Sequence, residues 1–455
     1  CKMKSYKLFC TFLLAIVLFS GIKSEVYSQW TLAGLVSNPG TFPSISVVDQ
    51  NTIWVAGGPT GTPVIARSTN GGTNWTAIPT TGVLLEVYCV WAVDENTAYV
   101  GDGGAAGGAG GNARFYKTTN AGVNWTVVGN TGGSAGFFNG IVFSKTMPSF
   151  GIAQSDPPTG AGQAYYVSVT SDGGATWTPT SPPGFAGTAS AQNSIVVIDN
   201  LFYGFGSNTA PPAFIYTSNG GTNWTKSNTA IAGNFTSGVA FSDDKQRGLV
   251  TSSTSLPNMA RTTNGGANFT TVTGVAGLTG YSTIKWIEGT NTVYVSSNLG
   301  ASGVIQKSTN GGLNWTVMST AGLTAVTHME FKRVGTTVYG FAVTSSGAVL
   351  KLTETITTVN SISSSVPADF KLEQNFPNPF NPSTTINFSI PNSSKVNLKI
   401  YNSLGKEVTT LVDEFLNAGS YTAEFEASSD LTSGIYFYTI TAGNFTDTKK
   451  LMLLK

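Results

Sequence analysis

Charge is scarce in this chain. Only 10% of its 455 residues are Asp, Glu, Lys or Arg, and the formal net charge is +1. Nucleic-acid binding draws on a basic excess that neutralises phosphates, so nucleic acid is excluded as a partner. Histidine occurs once, at His328, and cysteine three times, at Cys1, Cys10 and Cys89. A zinc site of ordinary ligands cannot be built from that stock, and no metal site is expected. No cofactor is expected either: Gly103–Gly111 is glycine-rich, but it lacks the Lys-Ser/Thr pair and the helix of a phosphate-binding loop.

Long apolar runs are missing beyond the first thirty residues. Residues 1–28 read as a secretory signal peptide starting at Met3, with Lys4 and Lys7 before the apolar stretch Leu8–Gly21 and a cleavage site after Val26-Tyr27-Ser28. Its removal takes Cys10 with it and leaves Cys89 as the cysteine of the mature chain, so stability is expected from packing and not from a disulfide. Cys89 falls in the apolar run Val87–Val93, where a buried inert thiol is the expectation.

What is abundant is glycine (54 residues), with dense Ser, Thr and Asn, a composition of tight turns and short strands. Ser68–Trp75 reads Ser-Thr-Asn-Gly-Gly-Thr-Asn-Trp. Variants recur at Thr118–Trp125, Thr170–Trp177, Thr217–Trp224, Thr262–Phe269 and Ser308–Trp315, at steps of 50, 52, 47, 45 and 46 residues. Such a period marks a repeat architecture. Within one repeat, Ser46–Val48, Thr52–Ala56, Val64–Ser68 and Asn74–Ile78 are four β-prone runs separated by turn clusters. Four strands in about 45 residues make one propeller blade. The octapeptide then lies on the turn between the third and fourth strands. Asn70, Asn120, Asp172, Asn219, Asn264 and Asn310 are expected to hold that turn, and Trp75, Trp125, Trp177, Trp224, Phe269 and Trp315 to pack between blades.

Six copies imply six blades, and two fragments are left over. Gln29–Leu32 matches a fourth strand, while Val326–Lys332, Thr337–Val343 and Ala348–Thr353 match the other three. Joined, they predict a seventh blade shared by the two chain ends, which closes the ring and removes its open edges. The expected fold is all-β: a seven-bladed propeller over residues 29–355, with six blades as the fallback, a linker over 356–369 and a small β-sandwich over 370–455.

The octapeptide resembles the Asp-box of BNR-repeat propellers, including the sialidase type and the photosystem II assembly-factor type. The resemblance implies the fold. The sialidase activity it would imply is undercut by the arginines Arg67, Arg114, Arg247, Arg261 and Arg333, which do not form that family's cluster, and by the missing Arg-Ile-Pro motif. The acid pairs Asp94–Glu95 and Asp243–Asp244 fall in turns, where solvated caps are the ordinary role. Whether the chain is an enzyme stays open, with the balance against it, and no catalytic residue is assigned. On the face opposite the octapeptides, Glu86, Phe138, Phe235, Tyr281 and His328 enter the innermost strands. They are candidates for a ring that takes a glycan or peptide, or for a plug of the channel.

Residues 370–455 closely resemble the type A C-terminal sorting domain of the type IX secretion system. The resemblance rests on Gln374–Pro382 (Gln-Asn-Phe-Pro-Asn-Pro-Phe-Asn-Pro), Ile400–Gly405, Leu431–Tyr436 and the closing Lys449–Lys455. Its signal residues map onto Asn375, Pro377, Pro379, Asn381, Pro382, Gly405, Gly434, Lys449 and Lys450. It implies a Bacteroidetes-like host, the type IX machinery as partner, and release from the cell or attachment to the outer-membrane surface. Three readings of the whole chain follow: a secreted binding or scaffolding propeller, a polysaccharide-active glycosidase or lyase on the same fold, or an assembly factor of the photosystem II type.

Overall fold

The computed structural model describes residues 30–58, 61–80, 86–104, 112–159, 162–180, 185–187, 189–233, 236–253, 258–272, 283–297, 303–318, 325–356, 359–363, 367–416, 418–427 and 431–455. The signal-peptide segment lies outside them. Among the described residues no helix is long and apolar enough to cross a membrane.

Seven four-stranded antiparallel sheets follow one another along the chain. Blade 1 is Ser44–Val47, Ile53–Gly57, Val64–Ser68 and Thr76–Ile78, and blades 2 to 6 repeat that order from Val87 to Met318. Blade 7 takes its inner three strands from Val326–Val334, Thr337–Thr344 and Ala348–Thr355. Its outermost strand is Thr31–Leu35, in register Thr31↔Lys351 and Leu32↔Leu350. The innermost strands touch in sequence around the circle, and the seventh returns to the first. The chain ends thus close the ring, as the leftover fragments predict.

The apolar alternation of the strands explains where the core sits. It is divided into seven clusters, each placed between consecutive blades. Trp54 and Ile65 of blade 1 meet Val90, Val100 and Tyr116 of blade 2. Tyr294 and Ile305 of blade 6 meet Met329, Leu350 and Trp30 of blade 7. Phe341 and Val349 of blade 7 meet Ile45 and Ile53 of blade 1. Each sheet buries both faces, which is why central strands such as Ile53–Gly57 are buried at every position.

The octapeptide turns share one hydrogen-bond pattern. In the first, the Ser68 hydroxyl accepts from Gly72 N at 2.9 Å and donates to Asn70 Oδ1 at 3.0 Å, and Asn70 Oδ1 accepts from Asn74 N at 2.9 Å. Asp172 does the same, with Thr176 N at 3.0 Å. The residue after the Asn or Asp then ties the turn to the neighbouring turn of its own blade, as in Gly71 N to Asn51 O at 3.0 Å and Gly311 N to Asn291 O at 2.8 Å. The second glycine lies flush against the preceding blade. A Cβ on Gly122, whose φ is +85°, would sit 2.3 Å from Ile78 Cγ2, so no other residue fits without displacement. The terminal aromatic also faces the preceding blade: Trp177 meets Phe115 edge-on at 5.0 Å and Tyr99 at 6.0 Å. The five tryptophans stay half-buried at the rim, and Phe269 is buried.

The C-terminal region is a two-sheet sandwich. One sheet orders Val359–Ser363, Gly419–Glu426, Ser383–Ile390 and Lys371–Leu372; the other orders Glu407–Leu416, Ser394–Asn402, Gly434–Ala442 and Phe445–Leu453. They enclose one core that includes Phe388, Leu398, Ile400, Tyr438 and Leu451. The linker expected at 356–369 is corrected here. Val359–Ser363 pairs antiparallel with Ser420–Ala423 and is an edge strand of the sandwich. A short Ser- and Val-rich run carries no turn signal of its own, and only its partner strand reveals it.

Candidate functional site

The channel lined by the innermost strands has two unlike ends. At the loop end, four of these strands carry a bulge at their start: between Val87 and Cys89, Phe138 and Gly140, Ser190 and Ile195, and Val326 and His328. A bulge inserts an unpaired residue and turns its side chain out of the ladder. The residues so redirected are Tyr88, Asn139 and Thr327, and the wider shift in blade 4 leaves Gln192, Asn193 and Ser194 unpaired.

They form a polar collar. Gln192 Nε2 of blade 4 donates to Phe42 O at 2.8 Å and to Tyr88 O, reaching blades 1 and 2. Asn193, with φ +59°, accepts from the Ser44 hydroxyl at 3.3 Å. Thr327 donates to Pro43 O at 3.2 Å and Val343 O at 3.0 Å. Asn139 donates to Asp156 Oδ1 at 2.7 Å, and Ser190 N donates to the same oxygen at 2.7 Å. Burial pushes the Asp156 carboxyl up to about 6, although these hydrogen bonds pull the other way.

Outside the collar stands an aromatic group. The Tyr88 and Phe137 rings lie 3.9 Å apart at 45°, and Phe42 is exposed beside them, through its carbonyl on Gln192. Burial, with a hydrogen bond to Glu86, holds the Tyr88 hydroxyl protonated far above the usual range. Asp102, one blade strand away, accepts from Arg114 N at 2.7 Å, Gly104 N at 3.1 Å and the Tyr116 hydroxyl at 2.8 Å.

Of the five residues singled out for this face, the three that are described are all buried. Phe138 is fully buried between blades 2 and 3, edge-on to Phe115 at 5.0 Å. Glu86 is buried behind Tyr88. His328 is buried; its Nδ1 accepts from Ile45 N at 3.0 Å, which puts the proton on Nε2, and burial with the nearby Lys285 ammonium lowers its pKa to about 3. Phe235 and Tyr281 lie outside the described residues. The exposed Phe42 and the half-buried Tyr88 went unmarked because neither has a periodic signal. The bulge at Tyr88 is a property of pairing register.

The opposite end of the channel, where the octapeptide turns dock, holds two adjoining cavities of ≈ 90 and ≈ 130 Å³. Trp91, Phe143, Lys145, Glu288 and Glu330 border both. Lys145 Nζ of blade 3 reaches Glu330 Oε1 of blade 7 at 2.8 Å, and Lys285 Nζ of blade 6 reaches Oε2 at 2.7 Å. Burial opposes ionisation of Glu330, but the two ammonium groups overcome it and hold the carboxyl far below the usual range. Among the described residues no three His, Cys, Asp or Glu side chains gather as a metal centre. Cys89 is buried, and burial raises its thiol to about 12.

In the C-terminal domain, Asn375 is buried. Its N–H donates to the Tyr438 hydroxyl at 2.9 Å, and its side chain to Thr384 Oγ1 at 2.9 Å and Pro377 O at 3.1 Å. Pro382 O accepts from Ala427 N at 2.8 Å, and Gly405 closes the 402–405 turn with φ +75°. Pro377, Pro379 and Asn381 are exposed, Gly434 pairs with Leu453, Lys449 lies 3.9 Å from Asp447, and Lys450 is exposed. The proline-rich segment runs along the last strand: Phe380 N donates to Met452 O at 2.9 Å and Leu454 N to Phe380 O at 3.0 Å.

Residues 374–454 match the family described as secretion system C-terminal sorting domain. No curated protein matches the chain. The fold recurs in solved structures. YCF48 bound to a D1 peptide aligns with a TM-score of 0.52 at 15% identity, over 72% of this chain and 97% of that one. An ancestral GH74 enzyme aligns with a TM-score of 0.51 at 14% identity, over 93% of this chain and 64% of the other. At these identities the likeness speaks for the fold alone. The chain is a β-propeller joined to a type IX sorting domain, which marks it for export to the cell surface or the extracellular space.

Proposed function

We propose that this is a signal-peptide-bearing, type IX-exported propeller of the Asp-box (BNR) kind that binds a glycan or peptide on its loop-rich face and acts as a binding or scaffolding module. The observation that carries the reading is the group Phe42, Tyr88 and Phe137 set around Gln192. It offers one exposed ring, Phe42, beside two half-buried ones on a hydrogen-bonded base, the kind of surface on which sugars stack and side chains pack. The acids beside it are engaged in structure: Asp102 fastens three donors and Asp156 two. The peptide-bound YCF48 propeller lends support to a peptide ligand. Attachment to the outer membrane after export belongs to the same reading.

A polysaccharide-active enzyme is the second reading, favoured by one observation. Burial raises the half-buried Asp156 carboxyl to about 6, in the range of a general acid. Glycan-array and peptide-library binding with the full chain separates the two. Retention lost in Phe42→Ala and Tyr88→Ala supports the binding module. Reducing-sugar release that disappears in Asp156→Asn supports the enzyme.

A further inference from the structure

The sorting domain has a complete core, yet it leaves large apolar side chains in water. Phe376 is 81% exposed, Leu404 90%, Ile435 43% and Phe437 36%. Strand register gathers two of them. On the Gly434–Ala442 strand, Ile435 and Phe437 alternate with the buried Tyr436 and Tyr438, so both point outward. Phe437 is opposite Tyr401 on one side and Lys450 on the other, and Ile435 is opposite Met452. Phe376 lies beyond the edge of this sheet and bridges Thr385 of the other one. Gln374 and Asn378 on either side of it both donate to Lys450 O, at 2.8 and 3.4 Å.

The other end of this face is polar, with Lys399, Thr439, Thr441, Thr446 and Thr448. The neighbouring cations are partnered: Lys399 with Glu407 at 2.8 Å and Lys395 with Asp413 at 2.9 Å. Lys450 makes no ion pair among the described residues.

Packing accounts for Asn375, Phe380, Tyr436 and Tyr438. It does not account for Phe376, Ile435 and Phe437. A contiguous exposed apolar patch around an unpaired cation is the composition of a protein-docking site. We propose that this sheet face is where the type IX machinery grips the chain, using a protein groove with an apolar floor and a carboxylate opposite Lys450. The proposal rests on the sorting-domain identity, which supplies the occupant: a domain read by export machinery must present a surface to it.

The test is export of the full chain in a type IX host, read as the extracellular and surface fraction against the periplasmic one. The double substitution Ile435→Thr/Phe437→Thr keeps strand propensity. It is expected to reduce export by about tenfold or more, the effect of losing central apolar anchors. Phe376→Ser and Lys450→Glu, outside the core, are expected to reduce it severalfold. Thr439→Ser on the polar end exports like the parent. Melting curves confirm folding, and if the double variant is unfolded the two single ones decide.

Parental export of folded variants overturns the proposal, and so does a dimer that the double variant splits without loss of export. Deletion of 374–454 is the separate control. If the deleted chain is still exported, the sorting reading itself fails. If deletion blocks export while the face variants pass, only the docking face is wrong.

Discussion

Lys145 and Glu330, 185 positions apart in sequence, meet at 2.8 Å across the propeller channel. With Lys285 they link blades 3, 6 and 7. Glu330 is the buried member, and its two partners keep some contact with water.

Glu330→Ala removes the negative charge and leaves two ammonium groups facing each other. Because both lysines can turn toward solvent, the loss is expected near the low end for a broken buried pair, about 3 kcal/mol. Adding Lys285→Met should recover part of it. Urea unfolding of the three proteins measures this; a single variant within the error of the parent would show that the triad contributes nothing.

Ring closure depends on the N-terminal strand. Trp30 is buried against Tyr294 and Phe331, with ring centroids at 6.3 and 5.9 Å. Trp30→Ala should destabilise by about 3–5 kcal/mol. Deleting residues 30–35 opens the Ala348–Thr355 edge, and sheet edges recruit other strands. Size-exclusion chromatography should then show oligomers where the parent shows none.

Acid stability should report His328. Its folded value of about 3 lies below the ordinary 6.5, so the neutral ring is the folded form. The stability it contributes is complete above pH 6.5 and is lost as pH falls from 6.5 towards 3. The slope inside that window is about 1.4 kcal/mol per pH unit. Asp156 has the opposite sense: its carboxyl is raised from 3.8 to about 6, so its contribution is present below pH 3.8 and lost as pH rises through 6. His328→Gln should flatten the acid limb, and Asp156→Asn should raise stability near pH 7 by about 1 kcal/mol after discounting for its partial exposure. Denaturation series from pH 4 to 7.5 separate them.

The octapeptide of blade 2 has Ala121 where the other copies have glycine, and Ala121 holds φ +61°. Left-handed geometry costs a side-chain-bearing residue about 1–2 kcal/mol, partly offset by glycine's larger backbone entropy in the unfolded chain. Ala121→Gly should therefore raise the unfolding free energy by about 0.5–1 kcal/mol. The reverse change at the equivalent Gly173, φ +70° with open space around it, should lower it by a similar amount. Calorimetry on both variants tests the pair, and equal melting temperatures would contradict it.

Much of the fold was legible because it is written locally. Each octapeptide carries its side-chain hydrogen bonds within eight residues, and its spacing counts the blades. The unmatched Gln29–Leu32 announced the shared seventh blade. The channel ends were not legible. Tyr88, Asn139 and Gln192 acquire their direction from bulges, which exist only once two strands choose a register. Lys145 and Glu330 carry no mark of each other. Phe138 and His328 were read from position alone, and position does not say which way a side chain turns.

The ladder of the closing blade ends at Thr355, and the next ladder begins at Val359 in a different sheet. Among the described residues no β ladder spans the junction. A peptidase cutting between Ile356 and Val359 would therefore unfasten the address label and leave the delivered parcel shut, with the first strand of the chain still serving as its clasp.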